Sequence, residues 1–357
     1  MNNCPAELIE NRKEEHVRIA ENENVTTDHN FWDDIHIIHQ AIPEIDFDHI
    51  DTEVNILGNR LNFPLIISSM TGGTPLAKRI NENLSDAAEK FGIGMGVGSM
   101  RAAVEKRELA DTYSMLSSKK IPMKMANIGA PQLIPQSKRA FSDGDIEYLF
   151  NLIGANFLII HFNFLQEMVQ PEGDRNARGI LKRIEEIAGS YPVIAKETGN
   201  GFSREAALAL RDHGVKAIDV GGVGGTSFAA IEYYRAMKTD DREKMNSGKT
   251  FWNWGIPSPA SIKYCNVGLP VFGSGGLRNG LDLAKVIMMG GELGGFARSL
   301  LKNADQSPHE LENQINFIIR DFKVAMFLTG SKNVQELRKA GYFITEPLKS
   351  WIMAYEW

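Results

Sequence analysis

The amino-acid sequence predicts a (β/α)8 barrel, also called a TIM barrel, with an N-terminal extension and a long insert after the sixth strand. Eight short apolar runs recur through the middle of the chain, helical patterns separate them, and a polar or glycine-rich loop follows each run. Strands that alternate with helices form a parallel sheet, and eight such units close into a barrel. A doubly wound open sheet, which normally has fewer strands, is the second interpretation.

The N-terminal extension is predicted to cover residues 1–58, and residues 11–16 have the pattern of a first helix. Arg12 and Lys13 in this helix are adjacent, so they do not share a helix face. This weakens the idea of an i, i+4 pair with a glutamate and leaves both cations available for an anion. Taken alone, however, the pattern favours an ordinary solvated helix.

The barrel is predicted between residues 60 and 300. Its strands are the apolar runs 64–69, 93–97, 123–127, 157–160, 192–196, 217–220, 270–274 and 293–297. The helical patterns between them include 74–91, 145–154, 179–188, 203–213 and 280–290. Residues 233–265 are predicted to form a long loop or short helical insert on the face of the barrel where lids lie. The C-terminal tail, residues 301–357, has helical patterns at 310–327 and 332–340. No linker divides the chain, so a single domain is expected.

The composition excludes several classes of protein. A hydrophobic content of 43% and a charged content of 24% are typical of a globular protein with a sizeable core. The net charge of -6 predicts no nucleic-acid surface. Cys4 and Cys265 are the only cysteines, so no disulfide framework is expected. The apolar runs are too short to span a bilayer and no secretory signal is evident, so the sequence predicts a cytoplasmic protein.

The functional residues of a barrel lie where its strands end and in the loops that follow. The predicted strand ends are Ser69-Met-Thr-Gly-Gly73, Gly98-Ser-Met-Arg101, Asn127-Ile-Gly129, His161, Lys196-Glu-Thr-Gly199, Gly221-Gly-Val-Gly-Gly-Thr-Ser227, Ser274-Gly-Gly-Leu-Arg278 and Ala297-Arg298. The loops after the seventh and eighth strands form the usual phosphate site of such barrels. Gly275-Gly276 fits the first half of such a site and Gly294-Gly-Phe-Ala-Arg298 the second, so the two together predict a phosphorylated cofactor or substrate.

Lys196 is an ionisable residue in a strand that is predicted to face inward, which is unfavourable unless the charge is paired. A structural lysine paired with Asp219 or Glu197 is one interpretation. A Schiff base, or a cation beside an electron-rich ring, are the others. The ring accounts best for the hydrogen-bonding groups on the first three strands, which are Ser69, Thr71, Ser99 and Asn127. FMN has that ring and carries a phosphate.

Residues 161–173, which we call the polar segment, follow the fourth strand directly. If a helical turn begins near Asn163, the residues at i+3, i+4 and i+7 share one face. Those residues are Gln166, Glu167 and Gln170. A solvated surface helix is the alternative, but amides outnumber charged residues here, and solvated faces prefer charges.

Several motifs occur in order along the chain: Arg12-Lys-x-x-His16, Ser69-Met-Thr-Gly-Gly73, Gly98-Ser-x-Arg101, Asn127-Ile-Gly-Ala130, His161-x-Asn-x-x-Gln-Glu-x-x-Gln-Pro-Glu-Gly173, Lys196-Glu-x-Gly199, Asp219-Val-x-Gly-x-Gly-Gly-Thr226 and Ser274-Gly-Gly-x-Arg278. With these motifs the sequence resembles type 2 isopentenyl diphosphate isomerase, an FMN-dependent family, over residues 11–300. The resemblance implies interconversion of isopentenyl and dimethylallyl diphosphate in isoprenoid biosynthesis. It also implies FMN, Mg²⁺ and a reductant such as NADPH, and homotetramers or homo-octamers.

The resemblance assigns a role to individual residues. FMN would be surrounded by Ser69, Met70, Thr71, Gly72, Ser99, Asn127, Lys196, Thr226, Gly275, Gly276, Arg278, Ala297 and Arg298. The substrate diphosphate would be held by Arg12, Lys13, Ser99, Arg101, His161, Asn163 and Gln166. Glu167 would bind Mg²⁺, and the catalytic group would be Lys196, Gln166 and His161. Ser258 and Asn200 depart from the usual pattern of the family, which puts details of their loops in doubt.

Two other functions fit a flavin or phosphate barrel. An FMN-dependent 2-hydroxy acid oxidase or dehydrogenase needs a histidine base and an arginine close together after a late strand, as in H-G-x-R. The late strands here end in Gly-Gly-Thr and Gly-Gly-Leu-Arg, which contain no histidine. The second alternative is a non-catalytic phosphate-binding barrel, which would bind no flavin.

Overall fold

The chain enters the barrel through an N-terminal extension. The structure is a computed structural model that describes residues 5–170 and 173–354, with side chains from position 13 onward. The extension consists of helix α1 (Pro5–Asn22), a 3-10 helix (Phe31–Asp34), strand β1 (Ile35–Ile37) and a hairpin of β2 (Val54–Ile56) with β3 (Asn59–Leu61). The predicted first helix is therefore present and is longer than residues 11–16.

Eight parallel strands follow and form a closed barrel. They are β4 (Leu65–Ile67), β5 (Gly94–Gly96), β6 (Lys124–Gly129), β7 (Phe157–Phe162), β8 (Val193–Glu197), β9 (Ala217–Asp219), β10 (Val271–Ser274) and β11 (Leu293–Phe296). Strand β11 pairs with β4, with Gly294 opposite Leu65, and this pairing closes the barrel. Each strand overlaps one of the eight predicted apolar runs. The prediction of a TIM barrel is confirmed, and the open doubly wound sheet is wrong.

Helices cover the outside of the barrel. Those up to the eighth strand are α2 (Pro75–Phe91), α3 (Arg101–Glu105), α4 (Asp111–Ser114), α5 (Asp143–Leu152), α6 (Phe164–Val169), α7 (Ile180–Ala188), α8 (Arg204–Asp212), α9 (Phe228–Lys238), α10 (Arg242–Thr250), α11 (Ser258–Tyr264) and α12 (Gly280–Met288). Helix α2 begins where the Thr74 side chain accepts a hydrogen bond from the Ala77 N–H, and it ends at Gly92. The insert after the sixth strand is helical: α9 runs into it and α10 and α11 lie within it.

The C-terminal tail returns to the N-terminal extension. It contains α13 (Arg298–Gln306), α14 (Pro308–Phe327), α15 (Val334–Leu337), β12 (Tyr342–Ile344) and α16 (Leu348–Met353). The helix expected at 332–340 is only the short α15, because the chain turns after it and pairs as β12 with β1. In the part of the chain that the structure describes, no helix combines the length and the apolar character needed to cross a membrane.

Side chains fill the barrel at the amino ends of its strands, and the barrel is open at the carboxyl ends. Ile66, Ile159 and Phe272 point into its interior, where they form a buried cluster with Ile56 and Leu61 of the β2–β3 hairpin. The hairpin therefore plugs the end at which the strands begin. A second and larger buried cluster lies between the strands and the surrounding helices. The carboxyl ends of the strands, where barrels carry their functional residues, are left for a site.

Helix α12 packs closely on α14 through its first residue, Gly280. A Cβ atom at this position would lie 2.0 Å from the Ile318 carbonyl oxygen and 2.2 Å from the Phe322 backbone nitrogen. Gly280→Ala is expected to lower the free energy of unfolding by about 2 kcal/mol, because overpacking of this size forces two helices apart. Gly144→Ala in α5 is the control, since the nearest atom there is 3.9 Å away. Denaturant unfolding measures both, and equal losses would contradict the packing argument.

Candidate active site

A cavity of about 600 Å³ lies at the carboxyl ends of the barrel strands. It is lined by nearly all of the residues that the sequence predicted for the site: Lys13, Ser69, Met70, Thr71, Gly72, Ser99, Arg101, Asn127, His161, Asn163, Gln166, Glu167, Lys196, Thr226, Gly275, Gly276, Arg278, Ala297 and Arg298. Arg12 lies in α1, but its side chain falls outside the described residues. The structure thus brings together residues that are almost 300 positions apart in the sequence.

The end of β4 contributes buried hydroxyl groups to this cavity. The side-chain oxygens of Ser68, Ser69 and Thr71 are buried and have no hydrogen-bond partner among the described residues. A buried hydroxyl without a partner is unfavourable by roughly 1–3 kcal/mol. All three line the cavity, so a ligand with polar ring edges would satisfy them. This feature fits the ring of a flavin.

Lys196 lies in β8 and has buried partners. Its ammonium donates to Asp219 Oδ2 at 2.8 Å and to Ser274 Oγ at 3.2 Å. Glu197 is not its partner, because that carboxylate accepts hydrogen bonds from the backbone of the loop after β8. The predicted pairing of Lys196 with Asp219 is therefore confirmed. The same side chain lines the cavity, so the pair does not exclude a role towards a ligand.

The loop after β10, residues 274–278, is called the phosphate loop below. Gly275 and Gly276 have φ angles of 93° and 85°, which side chains with a Cβ rarely adopt. The Gly275 carbonyl accepts hydrogen bonds from Trp32 Nε1 at 2.8 Å and from Ser258 Oγ at 2.9 Å. In a trans peptide the N–H points away from the carbonyl. The Gly276 N–H is therefore turned to the side opposite these donors, as an anion site in this glycine cradle requires.

Two arginines tie the phosphate-site loops to the N-terminal extension. Arg278 donates to Asp33 Oδ2 at 3.0 Å and to Asp282 Oδ2 at 2.9 Å. These hydrogen bonds raise the pKa of its guanidinium. Arg298 donates to the Ala20 carbonyl at 2.7 Å. Both arginines therefore hold the loops in place as well as lining the cavity.

The polar segment forms α6 as predicted, and Gln166, Glu167 and Gln170 are buried on one face. Asn163 Nδ2 donates to Glu167 Oε1 at 2.9 Å. Glu167 Oε2 accepts from the Asp174 N–H at 2.8 Å and from Gln170. The interpretation as a solvated surface helix is wrong, because this face points towards the barrel. The side-chain oxygen of Asn163 is buried without a partner among the described residues.

A magnesium site around Glu167 would be built from oxygen atoms. No group of three His, Cys, Asp or Glu side chains that could hold a metal occurs within the described ranges. Mg²⁺ often binds through one or two carboxylates, with water and phosphate oxygens completing the shell. The Glu167 carboxylate and the Asn163 oxygen fit that pattern together with a diphosphate. The residues present are compatible with the ion, although they do not form a complete cage.

Two cations lie on the same side of the cavity. The Lys13 ammonium donates to the Ser99 carbonyl at 2.8 Å and to Tyr113 Oη at 2.9 Å. Lys13 is therefore packed against the barrel and is not part of a purely solvated helix face. Arg101 is held by Glu105 at 2.9 Å and by Asp174 at 3.1 Å.

Glu232 and Asp174, which the sequence did not reveal, contact the cavity-lining residues Gln166 and Arg101. Glu232 on α9 is buried, accepts a hydrogen bond from Gln166 Nε2 at 3.0 Å and lies 2.9 Å from His16 Nε2, with which it can form an ion pair. Burial acts to raise the pKa of Glu232, but hydrogen bonding and charge from His16, with the charge of Arg235, lower it to about 2. Only His16 carried a sequence signal, through its place in the first motif.

His161 is held as a neutral imidazole. Asn127 donates through Nδ2 to the Val97 carbonyl at 3.0 Å, so its Oδ1 accepts from His161 Nδ1 at 2.7 Å. Burial, together with the positive charges of Lys196 and Lys13, lowers the pKa of His161 to about 4. The proton on Nδ1 leaves Nε2 as the basic nitrogen of the ring.

The fold and site define a class of protein, the TIM-barrel enzymes with a cavity at the carboxyl ends of the strands. A family model described as FMN-dependent dehydrogenase matches residues 7–127. Among solved structures, a putative lactate oxidase of Pediococcus acidilactici is 14% identical, covers 97% of this chain and 96% of that chain, and has a TM-score of 0.63. A flavocytochrome b2 variant with sulfite bound has a TM-score of 0.63 at 16% identity, over 99% of this chain and 89% of that chain. These two likenesses show the fold alone.

Curated relatives identify the family within that class. The isopentenyl-diphosphate delta-isomerase of Picrophilus torridus is 65% identical over 98% of this chain and 100% of that protein. The isomerase of the same name from Thermoplasma volcanium is 62% identical over 97% of this chain and 99% of that protein. The isomerase of the same name from Archaeoglobus fulgidus is 45% identical over 96% of this chain and 97% of that protein. The chain belongs to the isopentenyl-diphosphate delta-isomerase family, and the match to the FMN-dependent dehydrogenase model supports type 2.

The low pKa of His161 can be measured by an NMR titration of the histidine rings, with the signal assigned by its loss in His161→Gln. We expect protonation near pH 4, against an ordinary value of about 6.5. The unfolded chain binds a proton below about pH 6.5, while the folded chain does so only near pH 4. The native protein should therefore lose stability relative to His161→Gln as the pH falls through this window. Titration of His161 near pH 6.5 would contradict its burial between two cations.

Proposed function

We propose that the protein interconverts isopentenyl diphosphate and dimethylallyl diphosphate by a proton shift, with the diphosphate held by Mg²⁺. The observation that carries this proposal is the single cavity that combines a glycine phosphate loop, unpartnered hydroxyls and a separate polar segment with nearby cations. The first two features suit a flavin. The third suits a second phosphorylated molecule. Sequence identity of 65% to a named isomerase supports the same substrate.

The cofactor side of the site would consist of strands β4, β8, β10 and β11. FMN, when bound and reduced, supplies an acid and base at N5 for adding a proton to one carbon of the substrate and removing one from another. Lys196 would place its positive charge beside the reduced ring and stabilise the negative charge there. The hydroxyls of Ser69 and Thr71 would hold the ring edge, and the phosphate loop would hold the phosphate. NADPH is proposed as the reductant that converts the bound FMN to its reduced form.

The substrate side would consist of α1, β5 and the polar segment. An isoprenyl group offers no polar atoms, so the binding energy must come from the diphosphate. Lys13 and Arg101 face the cavity and would neutralise that anion, with Arg12 as a further predicted ligand. His161 and Gln166 would orient the diphosphate and the reacting carbons. Gln166 is itself fixed by Glu232 at 3.0 Å, which keeps its amide in one orientation.

The alternatives make different use of the same fold. A 2-hydroxy acid oxidase would need a histidine beside the arginine of the late loops, and the phosphate loop has Arg278 but no histidine. A non-catalytic phosphate-binding barrel would leave the hydroxyls of β4 without a ring to bind. Purified protein that is colourless and cannot take up FMN would favour this second alternative. We also propose a cytoplasmic homotetramer or homo-octamer, which light scattering can test.

The function is tested by incubating the protein with isopentenyl diphosphate, FMN, Mg²⁺ and NADPH. We expect dimethylallyl diphosphate to accumulate over many turnovers, while NADPH is consumed only in the amount needed to reduce the flavin. Product analysis by NMR and the absorbance of NADPH measure both quantities. Oxidation of NADPH in proportion to product would mean that the reaction is a net redox process, and the proposal would then be wrong.

Glu167→Gln tests the proposed magnesium ligand. The amide keeps the shape of the side chain but removes its charge, so the Mg²⁺ concentration for half-maximal activity should rise by about tenfold or more. Glu186→Gln is the matched control, because Glu186 is paired with Arg183 on the surface of α7. An unchanged magnesium dependence in Glu167→Gln would remove Glu167 from the metal site. FMN binding should be the same in both variants.

A further inference from the structure

The last strand and helix of the chain lie far from the sequence motifs, yet they are connected to the phosphate loop. We call β12 and α16, with the residues between them, the C-terminal clasp (residues 342–353). The connection runs through the 3-10 helix Phe31–Asp34 and through α11. Each contact in it involves a buried group or a backbone hydrogen bond.

The first contacts are made at the phosphate loop itself. The Gly275 carbonyl accepts from Trp32 Nε1 at 2.8 Å, and the Gly276 carbonyl accepts from Asn30 Nδ2 at 2.9 Å. Ser258, the first residue of α11, donates to the Gly275 carbonyl as well. Two successive carbonyls of the loop are therefore fixed by side chains from outside the barrel. Because each peptide bond is trans, each fixed carbonyl also fixes the orientation of the N–H group of the following residue.

Trp32 is held rigidly in this position. It is completely buried, and its backbone carbonyl accepts from the buried Lys285 ammonium at 2.7 Å. A buried indole N–H normally has a partner, and here that partner is the loop. Loss of this donor would leave the Gly275 carbonyl with Ser258 alone.

The C-terminal clasp holds the other end of the 3-10 helix. Asp34 is buried, and its carboxylate accepts from the Leu348 N–H at 3.2 Å, while its backbone carbonyl accepts from the Thr345 N–H at 2.9 Å. Strand β1, which follows directly, pairs with β12, with Ile35 opposite Ile344. The clasp therefore touches the segment that presents Trp32 to the loop.

The clasp also touches α11, which presents Ser258. The Tyr264 hydroxyl at the end of α11 donates to the Trp351 carbonyl in α16. Leu348 at the start of α16 is completely buried. The C-terminal clasp thus contacts both segments that present a donor to the Gly275 carbonyl.

We propose that the C-terminal clasp positions the phosphate loop for the FMN phosphate, with Trp32 and Asp34 as positioning residues. This inference rests on the proposed location of the FMN phosphate at residues 274–278. Among the described residues, the hydrogen bonds of the clasp go to Asp34, β1 and α11, whereas the ring would lie beside β4 and β8, so we expect the clasp to act on the phosphate. Changes in the clasp should alter the binding of FMN and leave that of riboflavin, which lacks the phosphate, almost unchanged.

The experiment compares the dissociation constants of FMN and riboflavin for the full chain stripped of flavin, by fluorescence quenching. The native protein should prefer FMN by about 100-fold, because a phosphate makes charge-assisted hydrogen bonds. Trp32→Phe and Leu348→Ala should each reduce this preference by about fivefold, the loss expected for one hydrogen bond. Asp34→Asn preserves the shape of the Asp34 side chain, so it replaces Leu348→Ala in the experiment if that variant does not fold. Leu149→Ala, at a completely buried leucine on α5, is the matched control and should leave the preference unchanged.

The outcomes separate the inference from the function on which it rests. If the native protein binds FMN no better than riboflavin, the proposed FMN phosphate site at residues 274–278 is wrong. A native preference that persists in Trp32→Phe, Asp34→Asn and Leu348→Ala would overturn the role of the clasp and leave the site intact. If a variant binds FMN and riboflavin more weakly to the same extent, the substitution destabilises the whole protein, and the role of the clasp would be overturned. The role of the clasp would also be overturned if Leu149→Ala reduced the preference for FMN as much as the clasp variants do.

Discussion

The contact on which the site depends is the buried pair of Lys196 and Asp219. The two residues lie opposite each other in the register of β8 and β9, and Ser274 of β10 donates to the same carboxylate. Three neighbouring strands are thereby joined at the open end of the barrel, two by an ion pair and the third by hydrogen bonds of the Ser274 hydroxyl. Removing one partner of a buried pair leaves an uncompensated charge, which is strongly destabilising. A lysine that faces the cavity is possible only because this carboxylate lies beneath it.

The N-terminal extension and the insert complete the site that the barrel begins. Helix α1 contributes Lys13 and His16, and α9 contributes Glu232. Gln166 of the polar segment is connected to both helices through Glu232, which accepts a hydrogen bond from Gln166 and lies within ion-pair distance of His16. The side of the cavity that we propose for the diphosphate is therefore a network across three parts of the chain. The cofactor side depends instead on the strand ends and the phosphate loop.

Much of the fold could be predicted because its signals are local. A strand of the barrel is a short apolar run, and its end is marked by the polar residue that follows, as with His161 after β7. Residues such as Asn127 and Lys196 could be placed on one face from this rule alone. The family motifs then supplied the individual roles.

The remaining features could not be predicted because they depend on long-range contacts. Glu232 lies on α9, where no motif marks it, and meets Gln166 across 66 residues of sequence. Trp32 resembles any core tryptophan in the sequence, although its indole is bonded to the phosphate loop. The pattern at residues 332–340 is helical, but the pairing of β12 with β1 shortens the helix. Tertiary contacts decide these cases, and a single sequence contains no signal for them.

The central claim is that FMN and a diphosphate occupy opposite sides of one cavity around Lys196. A crystal structure of the protein with FMN, Mg²⁺ and a diphosphate tests it most directly. We predict the FMN phosphate at the backbone of Gly275 and Gly276, the ring beside Lys196, and the metal between Glu167 and the diphosphate. A flavin phosphate bound at the polar segment, or a ring out of contact with Lys196, would contradict the account.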